Sequence, residues 1–198
     1  MNDRKKIHRF FLEDPLLGYA ARLHGLPDLD IYGQGGPLLT LIEAIISQQL
    51  ADKAAKAIFT RLEAHISGAR GGALSLARSG RDELMALGIS GNKAESIVTV
   101  CGMAGRKELD FDELAAMNDD RVREELTRIK GIGIWTAQMY LIFGLKRKDV
   151  WPSTDLGIRK KLSALLKKKK PMEPEKVDEY GKRWAPYRSY AAIYVWRS

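Results

Sequence analysis

LTRIKGIGIWTAQMYLIFGLKRKDVWPSTDLGIRK, residues Leu126 to Lys160, sets a pair of glycines between two helical runs and an aspartate beyond them. Two runs of helical periodicity, one ending at Ile129 and one opening at Trp135, flank Gly131 and Gly133. Glycine permits positive φ and close backbone approach, so the pair reads as a tight turn between helices. Such a turn leaves main-chain N–H groups at the start of the following helix, where they suit a phosphate. The same glycines serve a plain corner between crossing helices, and the motif alone leaves both readings open.

Charge bears on the choice. The chain carries 33 Lys+Arg against 25 Asp+Glu, net +8. Leu145 to Lys170 alone holds ten basic and two acidic residues, also net +8, so the other 172 residues are balanced. A block this basic, starting one helix after the turn, is the electrostatic footprint of a protein that neutralises nucleic-acid phosphates. Lys146, Arg147 and Lys148 fall in the loop ahead of Asp155. Lys167 to Lys170 either extend that basic surface or complement the C-terminal dipole of a helix that Pro171 stops.

Asp155 follows Pro152, Ser153 and Thr154 and opens a run in which Ile158, Leu162, Leu165 and Leu166 recur at helical spacing. It reads either as an N-cap or as a working carboxylate. Ser153 and Thr154 are alternative caps, and a further carboxylate among cations can oppose positive charge developing at a sugar C1′.

Leu126, Ile129, Gly131 to Gly133, Trp135 to Ala137 and Asp155 together resemble the helix-hairpin-helix DNA glycosylases with a Gly-Pro-Asp loop. The likeness is strongest to the alkylation-repair branch represented by bacterial 3-methyladenine DNA glycosylase II. Upstream, Ile45 to Ala55 (IISQQLADKAA) resembles that family's glutamine-containing helix, and downstream, Trp184 to Arg197 (WAPYRSYAAIYVWR) resembles its closing helix. The three blocks keep the family's order and span Pro37 to Ser198.

The resemblance implies a monofunctional enzyme that flips an alkylated base, of the 3-methyladenine or 7-methylguanine type, out of double-stranded DNA and hydrolyses its N-glycosidic bond. It implies Asp155 as the catalytic residue and Trp135, Met139 and Trp196 around the base, the two tryptophans being equally readable as core. It implies DNA contacts from Gln48, Gln49, Lys130, Gly131, Gly133, Lys146 and Arg147. Gln49 falls close to the family's wedge position, although Gln48 and Gln49 also read as hydrogen-bonding residues of a helix-to-helix turn. Backbone carbonyls of Thr127, Ile129 and Ile132 match those with which the family's hairpin holds Na+ or K+. The loop Gly88 to Lys93 (GISGNK) either touches the opposite strand or simply turns.

Departures from the family pattern sharpen the expectation. Relatives with lyase activity carry a lysine nucleophile where this chain has Trp135, and an indole cannot form a Schiff base. Other relatives hold an iron–sulfur cluster through four cysteines, which one cysteine, Cys101, cannot do. No required cofactor and no zinc site are expected, there being no Cys/His cluster. His8, His24 and His65 all lie outside the motif blocks and read as surface residues.

Apolar residues recur at three and four, as in Leu38, Leu39, Ile42, Ile45 and Ile46, so the chain reads as all-α. Helices are expected near residues 13–24, 37–50, 51–66, 80–87, 92–106, 119–129, 134–145, 155–168, 173–183 and 187–197. The family likeness implies one glycosylase unit, 1–198, as a two-lobed helical bundle with the active-site cleft between lobes. One lobe is about 37–145, with the hairpin; the N-terminal residues and about 146–198 form the other. The residues ahead of Pro37 are too few for the extra N-terminal sheet domain of larger bacterial relatives. No leader is expected, since charged and apolar residues alternate through MNDRKKIHRFFLEDP, and no membrane span, since no apolar run reaches membrane length. A monomer is therefore expected in the cytoplasm, or on the nucleoid if the source is bacterial. Two rival functions stay open: a glycosylase for a neutral base such as hypoxanthine, ethenoadenine or uracil, and a non-catalytic DNA clamp.

Overall fold

The computed structural model describes residues 3–198, and every regular element among them is helical. The chain enters through α1 (Asp3–Leu12) and α2 (Gly18–His24). It then builds α3 (Pro37–Ser47), α4 (Asp52–Ser67), α5 (Arg81–Ala86), α6 (Gly91–Gly105), α7 (Phe111–Ala116), α8 (Asp119–Thr127) and α9 (Ile134–Phe143). It ends in α10 (Leu156–Leu165), α11 (Pro174–Gly181) and α12 (Arg188–Arg197). Short 3-10 turns cover Leu29–Ile31, Gly72–Arg78 and Lys182–Trp184.

Tyr32–Leu145 is one compact unit. Its centre is α3, whose Leu41, Ile42, Ile45 and Ile46 are fully buried, and which packs on α4, α6 and α9. At about 1.5–3 kcal/mol for each Leu or Ile taken out of water, these four side chains contribute about 6–12 kcal/mol of burial to the unit's core. Pro37 starts α3 at the one helical position where a missing N–H costs nothing. Helices α8 and α9 pack against each other across the Gly131 to Gly133 turn.

The residues up to Ile31 and Lys146–Ser198 form the other unit. Here α12 packs on α2 and α10, and α10 on α11. Phe11 meets Tyr194 with ring centroids 5.1 Å apart, and the buried Trp184 donates its indole N–H to Asp14 at 2.9 Å.

Three helices differ from expectation. The helix expected over 13–24 starts only at Gly18, because Asp14 Oδ1 accepts the N–H groups of Leu16 and Leu17 and commits Pro15 to a turn. Ahead of it, Asp3–Leu12 is helical, with Ile7 and Phe11 buried one turn apart. Helix α7 is also additional: Asp110 caps it by accepting from the N–H groups of Asp112 and Glu113. Among the described residues no helix is long and apolar enough to cross a membrane.

Candidate active site and nucleic-acid interface

The hairpin is braced by α6 and by the end of α3, both within its unit. Gly131 has φ +88, a conformation L side chains rarely adopt, and a Cβ there would fall 2.0 Å from Ser96 Oγ. That hydroxyl is 3.0 Å from the carbonyls of both Asn92 and Lys130, which ties the turn to α6. From α3, the Gln48 side-chain amide donates to the Gly131 carbonyl at 2.9 Å and to Thr136 Oγ1 at 2.8 Å, spanning both sides of the turn. Lys93 in turn donates to the carbonyls of Ile46 and Gln48, at 2.8 and 2.7 Å, and fixes the end of α3. Burial holds the Lys93 ammonium below its ordinary pKa.

Gly133 differs in kind. Its φ is −97 and nothing lies within 4 Å of where its Cβ would be. It is the N-cap of α9, and no side chain caps that helix. Lys130, Gly131, Gly133 and Ile134 are exposed around this end, so a backbone surface with helix-dipole polarity faces outward.

Of the remaining residues predicted to serve the site in this unit, Gln49 takes positive φ (+53) at the turn after α3 and leads into the partly exposed Leu50. Trp135 is half-buried and Met139, one turn further along α9, is buried. Thr127 turns its hydroxyl back onto the Arg123 carbonyl at 2.8 Å, and the Ile129 carbonyl accepts the Ile132 N–H at 3.0 Å. Pairing of that kind leaves a carbonyl a second lone pair for a cation.

In the other unit Asp155 is the N-cap of α10: its Oδ1 accepts the Ile158 N–H at 2.7 Å. The same oxygen accepts the indole N–H of Trp196 at 3.0 Å. Gly157 makes room for this meeting, since a Cβ there would lie 3.0 Å from Asp155 Oδ1 and 3.5 Å from the Trp196 ring. The two readings of Asp155 are therefore compatible, because capping the helix is done by one of its two carboxyl oxygens.

The basic loop ahead of Asp155 is clamped by the start of α12. Arg188 forks Asp149 through Nε–Oδ1 at 2.7 Å and Nη2–Oδ2 at 2.9 Å. The buried Ser189 donates to the Arg147 carbonyl at 2.6 Å and accepts the Val150 N–H at 3.0 Å. Trp151 anchors the loop's other side by donating to the Val177 carbonyl at 2.9 Å. Lys146 takes positive φ (+56); burial lowers its pKa, with Asp30 and Asp28 opposing. Lys148 is paired with Asp3. Among the described residues, no group of three or more His, Cys, Asp or Glu side chains could hold a metal ion.

The chain thus has a braced glycine hairpin at an uncapped helix start and a carboxylate fixed at another helix start. Residues 42–186 match the HhH-GPD superfamily of base excision DNA repair proteins, and the chain belongs to that family. It is 37% identical over 171 residues to DNA-3-methyladenine glycosylase 1 of Schizosaccharomyces pombe, covering 82% of this chain and 72% of that protein. It is 34% identical over 116 residues to a putative DNA-3-methyladenine glycosylase of Bacillus subtilis, covering 59% of this chain and only 40% of that one. The structure of the S. pombe 3-methyladenine DNA glycosylase in complex with abasic DNA superposes with a TM-score of 0.87 at 30% identity, over 97% of this chain and 95% of that one.

The Gln48 contact with the hairpin and the Trp196 contact with Asp155 were outside the reach of the sequence. They join residues 83 and 41 positions apart, and no local pattern signals either pairing.

Proposed function

We propose that this protein is a monofunctional DNA glycosylase of base excision repair. It extrudes an alkylated base from duplex DNA and hydrolyses the bond between base and sugar. The observation that carries this reading is Asp155: a carboxylate fixed through Oδ1 by the Ile158 N–H and the Trp196 indole. Breaking an N-glycosidic bond builds positive charge on the sugar, and a preorganised carboxylate lowers the cost of that charge and orients the attacking water. A cationic base such as 3-methyladenine leaves without a strong general acid, which suits a site built around one acid. Trp135 stands where a lyase would need an amine, so the reaction ends at the abasic site.

The hairpin is the DNA clamp in this reading. Main-chain groups around Gly131 and Gly133, with the Lys130 side chain, meet a phosphate, and Lys146 and Arg147 add charge that carries no sequence information. The carbonyls of Thr127, Ile129 and Ile132 hold a monovalent cation against the same phosphate. Trp135 and Met139 border the extruded base, and Trp196 stands beside Asp155. Gln49 enters the duplex, while Gln48, committed to Gly131 and Thr136, supports DNA binding by holding the hairpin in shape. In this reading the protein works where chromosomal DNA is, in the cytoplasm, or on the nucleoid if the cell is bacterial.

Release of free bases from methylated duplex DNA tests the proposal, with strand integrity read before and after alkali. Free 3-methyladenine with nicks only after alkali is the expected result. Nicks without alkali would establish a lyase, and no release despite tight binding would leave a clamp or a glycosylase for another base.

A further inference from the structure

Trp196 and Asp155 are joined by a hydrogen bond across 41 residues of sequence, and the same helix that presents Trp196 also grips the loop leading to Asp155. We infer that α12 is the splint that sets the Asp155 carboxylate, with Trp196 as a positioning residue that acts through Asp155 and not through the base. The inference rests on the reading of Asp155 as the hydrolytic carboxylate.

Ser189 and Trp196 stand seven residues apart, two turns of helix or about 10 Å, and so lie on one face of α12. At the near end of that face, Ser189 is wholly buried and bonded to the backbone of Arg147, Lys148 and Val150, while Arg188 forks Asp149. At the far end, the indole N–H meets Asp155 Oδ1. Lys161 on α10 returns the contact by donating to the Trp196 carbonyl at 2.5 Å, so the helix that Asp155 caps is tied to the helix that holds Asp155.

An indole offers one N–H, and here it is spent on the carboxylate. The Ile158 N–H reaches Oδ1 along the backbone and the indole reaches it from a second helix. Two donors on one oxygen fix the rotation of the group, which a backbone cap alone leaves partly open. The indole edge that makes this contact also lies beside Gly157, where a Cβ would crowd the carboxylate oxygen at 3.0 Å and touch the ring at 3.5 Å. Displacing a reacting group by 1 Å can cost about 100-fold in rate, so a splint of this kind belongs to the catalytic apparatus without touching the substrate.

Trp196→Phe and Asp155→Asn, singly and together, test the inference. Asparagine keeps the N-cap, and phenylalanine keeps a ring while removing the N–H. The chain has four tryptophans, so the indole N–H resonance lost in Trp196→Phe identifies itself. That resonance should shift in Asp155→Asn, where the acceptor loses its charge; an unmoved resonance overturns the contact. In single-turnover excision, Trp196→Phe should slow the chemical step by about tenfold or more at unchanged DNA affinity. The slowing should vanish when Asp155 is already Asn, because the indole then has no charged carboxylate to position. Slowing that persists undiminished in the Asn background, or that appears as lost affinity, assigns Trp196 to the base and overturns the inference. The resonance comparison needs no turnover, so it stays decisive even if the protein releases no alkylated base.

Discussion

Replacing Gly131 by alanine should damage the hairpin from inside, and the size of the effect follows from two separate terms. At φ +88 an alanine pays for a left-handed backbone that glycine adopts freely, about 1–2 kcal/mol. Its methyl would also arrive 2.0 Å from Ser96 Oγ, far inside contact distance, and 3.2 Å from Ser96 Cβ. Forcing that hydroxyl away breaks its bond to the Lys130 carbonyl and adds about 1–2 kcal/mol. The total, about 2–4 kcal/mol, is best read by urea unfolding alongside affinity for duplex DNA. In a Ser96→Ala background, which already lacks that hydroxyl and its bond, Gly131→Ala should cost little beyond the backbone portion. Gly133→Ala is the contrasting control: with φ −97 and open space around it, it should leave stability unchanged and weaken DNA binding alone. Wild-type stability in Gly131→Ala, or equal destabilisation by both substitutions, would refute this account of the turn.

Further consequences follow from the same geometry. Replacing Lys146 and Arg147 by alanine should weaken binding to all DNA sequences alike and flatten the slope of log K against log salt by up to about 2 units, seen in fluorescence anisotropy across a salt series. Lys146 should supply the smaller part, since Asp30 and Asp28 lie within electrostatic reach of it. Burial pushes the Cys101 thiol up to about 12, so at pH 8 a disulfide reagent should report no reactive thiol until the protein unfolds; immediate reaction would contradict the packing around α6. Burial likewise pushes the Tyr194 hydroxyl up to about 12, against an ordinary value near 10. The folded state thus holds that proton more tightly than the unfolded chain, and its contribution to stability is intact below pH 10 and is lost as pH rises toward 12. Tyr194→Phe should flatten the alkaline limb of the melting curve, provided its lost bond to the Gly25 carbonyl is allowed for with a neutral-pH baseline.

How far the sequence foretold this molecule depends on the range of the interaction involved. The hairpin was legible because Gly131 and Gly133 interrupt two periodic runs, a pattern contained in a few residues, and α8 and α9 start where expected. The start of α10 was legible for the same reason, with Ile158 and Leu162 buried on one face. Helix α1 was not, because its charged residues mask a narrow stripe of Ile7 and Phe11 that only partners such as Tyr194 make sense of. Helix α7 buries only Leu114, too little for any periodicity to register. At the site, the identity of Asp155 as a candidate was readable from its neighbours, whereas its partner Trp196 was not. Gln48 shows the same limit from the other direction: its type suggested a residue for DNA, and only the fold brings its amide to Gly131 and Thr136.

The claim on which the rest depends is that Asp155 does the chemistry. The direct test compares wild type with Asp155→Asn in single-turnover release of 3-methyladenine from methylated duplex DNA, with duplex affinity measured on the same preparations. Asparagine is as good an N-cap as aspartate, so α10 and DNA binding should survive. The account predicts unchanged affinity and a rate reduced by orders of magnitude in the variant. Equal rates in the two proteins would remove Asp155 from the mechanism.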